Sequence, residues 1–432
     1  MRILWLINRI LPMFYKELGM KETSYGGGWL TGLSNSLRKT EGIELAVCAP
    51  FSDIEENKSG SIDRVKYYLY PEKDFRQYDS EAVVRFREID KEFKPDVIHI
   101  FGTEYPQTLE MIDAIGSDRV LISLTGILNE YFPWYRGGIP SGNIKRHTLI
   151  RKIASGNKKL FFLQNRLICY GEDDFKNRAF YETEALKKAK YVTGRTAFDR
   201  NFALKSNPAI KYYFCNESLR DTFYEPPCWK YELCEKHSIF ISNSGYPIKG
   251  FHKMLEASEY LIRDYPDLKI YVAGNSPYSS TKGLKNKILQ VTDEYGMYIQ
   301  KLIKKFSLNT AIHFMGNLNE QEMKKTFLKA NVFVLPSAIE NSPNSLGEAM
   351  ILKVPCVASD VGGVSDMIVD EKEGFLYQFD NVKALAAAVD RIFKDAALAT
   401  EIGHAAFTHA AETHSIQNNN NTMISIYTDI AK

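Results

Sequence analysis

The strongest constraint on this chain is the alternation of short apolar runs with helical patterns along most of its length. The runs are Arg2–Asn8, Ile43–Ala49, Val97–Phe101 and Val120–Leu124, then Ser238–Ser242, Leu268–Ala273, Ala311–Met315, Val332–Pro336 and Pro355–Ala358. They are continuous stretches of Val, Ile, Leu and Phe, the pattern of strands covered on both faces. Between them, Phe251–Arg263 places Met254, Leu255, Leu261 and Ile262 on one side of a helix, and Val382–Asp395 does the same with Leu385, Val389, Ile392 and Phe393. Strand–helix alternation predicts βαβ units and parallel sheets, an α/β chain. At 432 residues the chain exceeds what a single growing core usually holds, so two domains are expected.

The alternation breaks between residues 216 and 237, around Glu225-Pro226-Pro227-Cys228-Trp229, and a fresh series begins at Ser238. This places a first Rossmann-like domain at 1–220 and a second at 221–415. The polar stretch Gln417–Asn421 precedes a short amphipathic helix with Met423, Tyr427 and Ile430, which reads either as a frayed tail or as a return crossing, and residues 416–432 are assigned as a helix returning to the first domain.

Composition narrows the function. Lys plus Arg number 55 and Asp plus Glu 53, a formal charge of +2, which gives no overall drive toward nucleic acid. The six cysteines have no paired zinc spacing and read as reduced thiols. Met1-Arg2 runs directly into Ile3-Leu4-Trp5-Leu6-Ile7, too short for a secretory core. No uncharged apolar run approaches the ~20 residues that span a bilayer. The expectation is a cytoplasmic protein that touches at most the inner face of a membrane. The stretch 145–166 carries Lys145, Arg146, Arg151, Lys152, Lys158, Lys159 and Arg166 without an acid, interleaved with apolar residues. Such a stretch can attract anionic lipid at ~1 kcal/mol per charge, or simply be a solvated face.

The strongest chemical signal is Ser337-Ala338-Ile339-Glu340-Asn341-Ser342-Pro343-Asn344-Ser345-Leu346-Gly347-Glu348, directly after the apolar run Val332–Pro336. Ligands of open α/β sheets bind beyond the carboxyl ends of strands, which is where Glu340 falls. Ser342–Ser345 is a turn cluster that should open a helix whose N-terminus suits phosphate. Glu348 falls one turn into that helix, where a carboxylate can accept from a vicinal diol such as a ribose.

This block resembles the Glu, seven residues, Glu signature of retaining GT-B glycosyltransferases of family four, the group 1 transferases. Met350–Gly363 continues the likeness as an apolar strand and a paired-glycine loop. Ser242–Gly250 resembles the loop that opens the family's donor domain, with Gly245 in it and Lys249 meeting the diphosphate. Ile270–Pro277 resembles the next strand with its glycine turn at Gly274, and His313–Leu318 the strand whose following backbone, Gly316, Asn317 and Leu318, holds the base. One departure stands out. The family usually carries an Arg shortly before the Lys, and here Tyr246 stands near that place.

In the first half, Gly26-Gly27-Gly28 opens a helical stretch, and glycines permit close approach to a ligand. In the relatives this loop faces the interdomain cleft. Glu104, beyond the run Val97–Phe101, is an acceptor-side candidate, while His99 inside that run reads as a core residue. Thr125 occupies the place where many relatives have a His, so no catalytic histidine is carried over.

The resemblance implies two Rossmann-like domains facing a cleft, in a metal-independent, retaining hexosyltransferase-type enzyme without a cofactor. Its donor would be a UDP- or GDP-sugar and its acceptor a saccharide or lipid-linked hydroxyl, in surface polysaccharide or glycolipid synthesis. Glu348 would hold the ribose. The amides of Asn344, Ser345 and Leu346, with Lys249, would stabilise the departing diphosphate, and Glu340 would lie against the donor sugar. No paired-aspartate metal clamp, Walker loop or dinucleotide fingerprint competes. A sugar-nucleotide epimerase or hydrolase of the same fold, and a non-catalytic assembly protein, remain as alternatives.

Overall fold

A computed structural model describes residues 1–19, 28–71, 76–140, 168–274, 276 and 294–432. By packing, the chain divides into two compact units. The first is Met1–Asn129 with Lys176–Asp221 and Glu412–Lys432; the second is Glu130–Phe175 with Thr222–Ala411. The segment Glu130–Phe175, which precedes the boundary read at 220, thus clusters with the second unit.

The strands of the first unit are β1 (Arg2–Leu6), β2 (Glu44–Phe51), β3 (Lys58–Ile62), β4 (Val65–Pro71), β5 (Val97–Phe101), β6 (Val120–Ser123), β7 (Tyr191–Gly194) and β8 (Lys211–Phe214). Among the described residues they form one sheet of order β3-β4-β2-β1-β5-β6-β7-β8. All neighbours are parallel except β3 and β4, an antiparallel hairpin. The four apolar runs of the first half appear as β1, β2, β5 and β6. The hairpin strand β3, Lys-Ser-Gly-Ser-Ile, was not legible, because an edge strand with one solvated face needs no apolar run. Its turn residues Asp63 and Arg64 both take positive φ (46° and 69°), the backbone of a two-residue hairpin loop, without the usual Asn or Gly to announce it. β7 and β8 are four residues each and too short to show a period.

One face of this sheet is covered by the helix Ile416–Ile430, whose Met423, Ile426, Tyr427 and Ile430 join Trp5, Leu33 and Phe101 in a core cluster. A buried polar chain threads this core. Trp5 Nε1 donates to Tyr427 Oη (3.1 Å), His99 Nδ1 lies 2.6 Å from the same hydroxyl, and His99 Nε2 lies 2.7 Å from Ser123 Oγ. Burial holds His99 well below its ordinary pKa, so the ring is neutral. The tautomer that satisfies every member has Tyr427 donating to Nδ1 and Nε2–H donating to Ser123.

The second unit contains β9 (Ser238–Ile241), β10 (Lys269–Ala273), β11 (Ile312–Gly316), β12 (Val332–Leu335), β13 (Cys356–Ser359) and β14 (Phe375–Tyr377). Among the described residues they form a wholly parallel sheet of order β11-β10-β9-β12-β13-β14. The chain runs outward from β9 to β11, then crosses back to lay β12 on the other side of β9. The β9/β12 seam is therefore the topological switch point, where loops leaving the carboxyl ends diverge and leave a crevice. The amphipathic helices lie close to the reading: Phe251–Asp264 buries Met254, Leu255 and Leu261 with Ile262 only half-buried, and Val382–Lys394 buries Leu385, Val389, Ile392 and Phe393. The entry to this unit is fastened by Lys324, a buried lysine whose Nζ donates to the carbonyls of Thr222 (2.8 Å) and Glu225 (2.5 Å).

Candidate functional site

The loops leaving β9 and β12 must meet, because the two strands pair (Val332 with Ile239, Phe333 with Phe240). The first loop becomes the 3-10 turn Pro247–Lys249, and the Ala338 N–H of the second donates to Ile248 O at 2.7 Å. Gly250, at φ +66°, is pressed so close to Pro336 O that a Cβ would overlap it. This contact brings Lys249 Nζ to 2.6 Å from Glu340 Oε1, which also accepts from Ser337 Oγ at 2.7 Å. Both side chains are largely enclosed, at 21% and 7% exposure. Burial is the largest single influence and lowers the lysine pKa, but the charge and hydrogen bond of Glu340, with Tyr246 and Tyr131 adding, together outweigh it and hold Lys249 well above the ordinary lysine range. The site is thus a charged pair, each ion compensated by the other.

The backbone around Glu340 is equally fixed. Its carbonyl accepts from Gly363 N at 3.0 Å, and Gly362, at φ +55°, approaches that oxygen so closely that a Cβ would overlap it. Here glycine is required both by conformation and by space. The next amide, Asn341 N–H, donates to Tyr131 Oη at 2.8 Å.

The helix Asn344–Ile351 opens right after this loop, with Pro343 at its N-cap and no side-chain cap. The positive end of the helix dipole therefore falls directly after the Glu340 loop. Leu346 N–H is engaged with Pro343 O at 3.0 Å, and the Leu346 side chain is fully buried. Glu348 lies one turn in and is 5% exposed. On the other side of β9, Gly274 N–H donates to Gly316 O at 2.8 Å, joining two of the glycine turns. Gly245 N–H donates to Asn243 Oδ1 (2.9 Å) in the loop leaving β9, and the Asn243 side chain approaches Gly274. Gly245, Gly316 and Asn317 are exposed, with Leu318 half-buried. Ser244 Oγ is buried in the same loop without a hydrogen-bond partner.

In the first unit, Glu104 and Thr125 come together at the carboxyl ends of β5 and β6. Thr125 Oγ1 donates to Glu104 Oε1 at 2.6 Å. The carboxyl is wedged against Gly102 and Gly126, where a Cβ would meet it, and its Oε2 is buried without a partner. Desolvation raises its pKa, against the lowering effect of Thr125 and nearby backbone N–H groups. Gly28 begins the helix Gly28–Leu37, while Gly26, Gly27 and the basic stretch 145–166 lie outside the described residues.

The sequence reading missed three contributors. Ser337 and Gly362 lay inside the quoted motif blocks without a role, and for Gly362 the Gly362-Gly363 pair was the available signal. Tyr131, 210 residues from Asn341, carried no local signal. Among the described residues no group of three or more His, Cys, Asp and Glu is placed to hold a metal ion, and no helix is long and apolar enough to cross a membrane.

Residues 232–409, which contain Lys249, Glu340, Glu348 and the glycine turns but not Tyr131, Glu104 or Thr125, match the family model for glycosyl transferases group 1. The chain is 25% identical over 182 residues to a D-inositol 3-phosphate glycosyltransferase of Corynebacterium urealyticum, covering 42% of this chain and 40% of that protein. It is 24% identical over 156 residues to the capsular polysaccharide biosynthesis glycosyltransferase CapM of Staphylococcus aureus, covering 36% of each. The alignments thus span about two fifths of these relatives' lengths. Over the full chain the fold matches sucrose-phosphate synthase from Thermosynechococcus elongatus, with TM-score 0.67, 13% identity and coverage of 100% and 99%. It also matches Anabaena Alr3699/HepE in complex with UDP-glucose, with TM-score 0.65, 14% identity and 99% of each chain. The fold is GT-B, built on two parallel α/β sheets.

Proposed function

We propose that this chain is a retaining glycosyltransferase that moves a sugar from a nucleoside-diphosphate donor to a hydroxyl of a saccharide or lipid-linked acceptor. The observation that carries the reading is the buried Lys249–Glu340 pair at the β9/β12 switch point, beside an uncapped helix N-terminus. A nucleotide donor is favoured by this geometry, and the HepE relative in fold has been captured with UDP-glucose.

In this reading the donor diphosphate lies between Lys249 and the amides of Asn344 and Ser345, where a cation and a helix dipole favour the charge that develops on the leaving group. Glu348 accepts hydrogen bonds from the ribose diol. Glu340 faces the donor sugar and stabilises positive charge at its anomeric carbon. The bond from that carbon to the diphosphate oxygen breaks, the acceptor oxygen bonds the carbon on the same face, and the acceptor proton passes to the departing phosphate. The charge on the leaving group is met by Lys249 and helix amides, so no metal is invoked. Glu104 and Thr125 contribute on the acceptor side, and the enzyme works in the cytoplasm or on the inner membrane face, in surface-polysaccharide or glycolipid synthesis.

Calorimetry with UDP and GDP, followed by product analysis with the matching nucleotide sugars, tests this. One nucleotide should bind, and its sugar should be transferred with the anomeric configuration kept. Binding of neither would overturn the reading in favour of a non-catalytic protein. Sugar release or isomerisation that no acceptor diverts would favour a hydrolase or epimerase.

A further inference from the structure

The described residues 130–140 follow β6 in sequence, yet they fold as part of the second unit and touch both loops of its site. On one side, Tyr131 Oη accepts from Asn341 N–H at 2.8 Å, at the peptide that immediately follows Glu340. On the other, Gly137, at φ +59°, is pressed against Pro247 O, two residues before Lys249, and a Cβ there would overlap that oxygen. Gly137 O in turn accepts from His252 Nε2 at 2.9 Å. His252 Nδ1 lies 3.3 Å from Tyr295 Oη. Burial, with Lys253 adding, lowers the His252 pKa to about 3, so the ring is neutral and Nε2 carries the proton that Gly137 receives. Between the two contacts, Trp134 packs edge-on against Phe379 with ring centroids 5.8 Å apart. Tyr131 stays protonated at neutral pH, because burial, with the charge of Glu340 next in weight, raises its pKa above the ordinary range.

We propose that residues 130–139 are a strap that completes the donor site, with Tyr131 as a positioning residue: by holding the Asn341 N–H it fixes the peptide that aims Glu340 at the donor sugar. The inference rests on the transferase reading and adds to it a residue outside the family-matched region. The bond of Tyr131 goes to the peptide that follows Glu340, so its effect should fall on the sugar step rather than on nucleotide binding. The strap also gives the Lys249 turn and the Glu340 loop one common support, so that the pair keeps its separation when a diphosphate enters.

The test is Tyr131→Phe in the full-length chain, which keeps the ring and removes only the hydroxyl. Four quantities are measured: kcat, donor KM, calorimetric Kd for UDP or GDP, and hydrogen exchange of peptides spanning residues 337–343. The expected result is a fall in kcat of about tenfold, the scale of one lost hydrogen bond, with KM and Kd within twofold. Exchange across 337–343 should be faster. Unchanged kcat, or a fall matched by an equal weakening of nucleotide binding, would overturn the positioning role. Should the wild-type chain transfer no sugar at all, the transferase reading fails by itself. The exchange measurement then decides the strap separately: faster exchange in Tyr131→Phe supports it, and unchanged exchange overturns it.

Discussion

Lys249 Nζ and Glu340 Oε1 lie 2.6 Å apart although 91 residues separate them in the chain. The pair is enclosed on both sides, so neither charge can be removed without leaving the other inside a poorly solvated site. Lys249→Met should therefore destabilise the second unit by about 2–4 kcal/mol, and Lys249→Met with Glu340→Gln should recover a substantial part of that loss. Urea denaturation of the two singles and the double gives the coupling. Additive losses would show that the ions act independently.

The two glutamates should separate kinetically. Glu348→Ala removes an interaction made equally with bound donor and transition state, so donor KM should rise by about 10- to 100-fold with kcat little changed. Glu340→Ala should instead lower kcat by about 100-fold or more. Steady-state kinetics with varied donor distinguishes them, and full transfer by the double variant would refute the site assignment.

Gly362→Ala tests the backbone at the site. A methyl at φ +55° is strained, and here it also overlaps the Glu340 carbonyl. A stability loss of about 1–3 kcal/mol is expected, together with a fall in kcat as Glu340 is displaced. Thermal melting and turnover on the same samples check both, and a variant unchanged in each would show that the loop gives way freely.

His252 makes stability pH-dependent in a direction its surroundings fix. The folded chain keeps the ring neutral down to about pH 3, while an unfolded chain protonates it near 6.5. Below about 6.5 the unfolded state binds the extra proton, so the contribution of His252 falls as pH falls, by about 1.4 kcal/mol per pH unit. His252→Gln should flatten the stability profile by roughly that slope between pH 6 and 4, measured by denaturant titration at each pH. An unaltered slope would show that the ring is solvated.

Tyr427→Phe probes the other unit. It leaves the Trp5 Nε1 donor and His99 Nδ1 without the hydroxyl that serves both. A cost of about 1–3 kcal/mol is expected for stranding buried polar groups. Loss of protection in the helix Ile416–Ile430, followed by hydrogen exchange, would locate the effect.

The legible parts of this protein share a physical cause. β1, β5, β9 and β12 are covered on both faces, so each is a largely apolar run. The helix Val382–Lys394 faces the core on one side, so its buried residues recur with the helical period. Glu340, Lys249 and Glu348 stood out as candidates because they flank such runs in a familiar order. β3 was hidden because an edge strand with exposed Lys58 and Ser59 needs no apolar pattern. Leu346, expected to offer its amide to phosphate, gives that amide to Pro343 O instead, a turn detail that residue types do not encode.

What the sequence alone determined is therefore local: most of the strands and helices, and that the sheets are largely parallel. Those follow from periodicity and from continuous hydrophobicity, which each segment holds within itself. The tertiary structure decided which distant groups meet. Pairing of β12 with β9 rather than with β11 brings Lys249 to Glu340. The folding of residues 130–140 onto the second unit brings Tyr131 to Asn341. Burial around His99 and His252 sets their charge. These outcomes depend on strand order and on what each side chain is enclosed by, and neither quantity belongs to any one stretch of the chain.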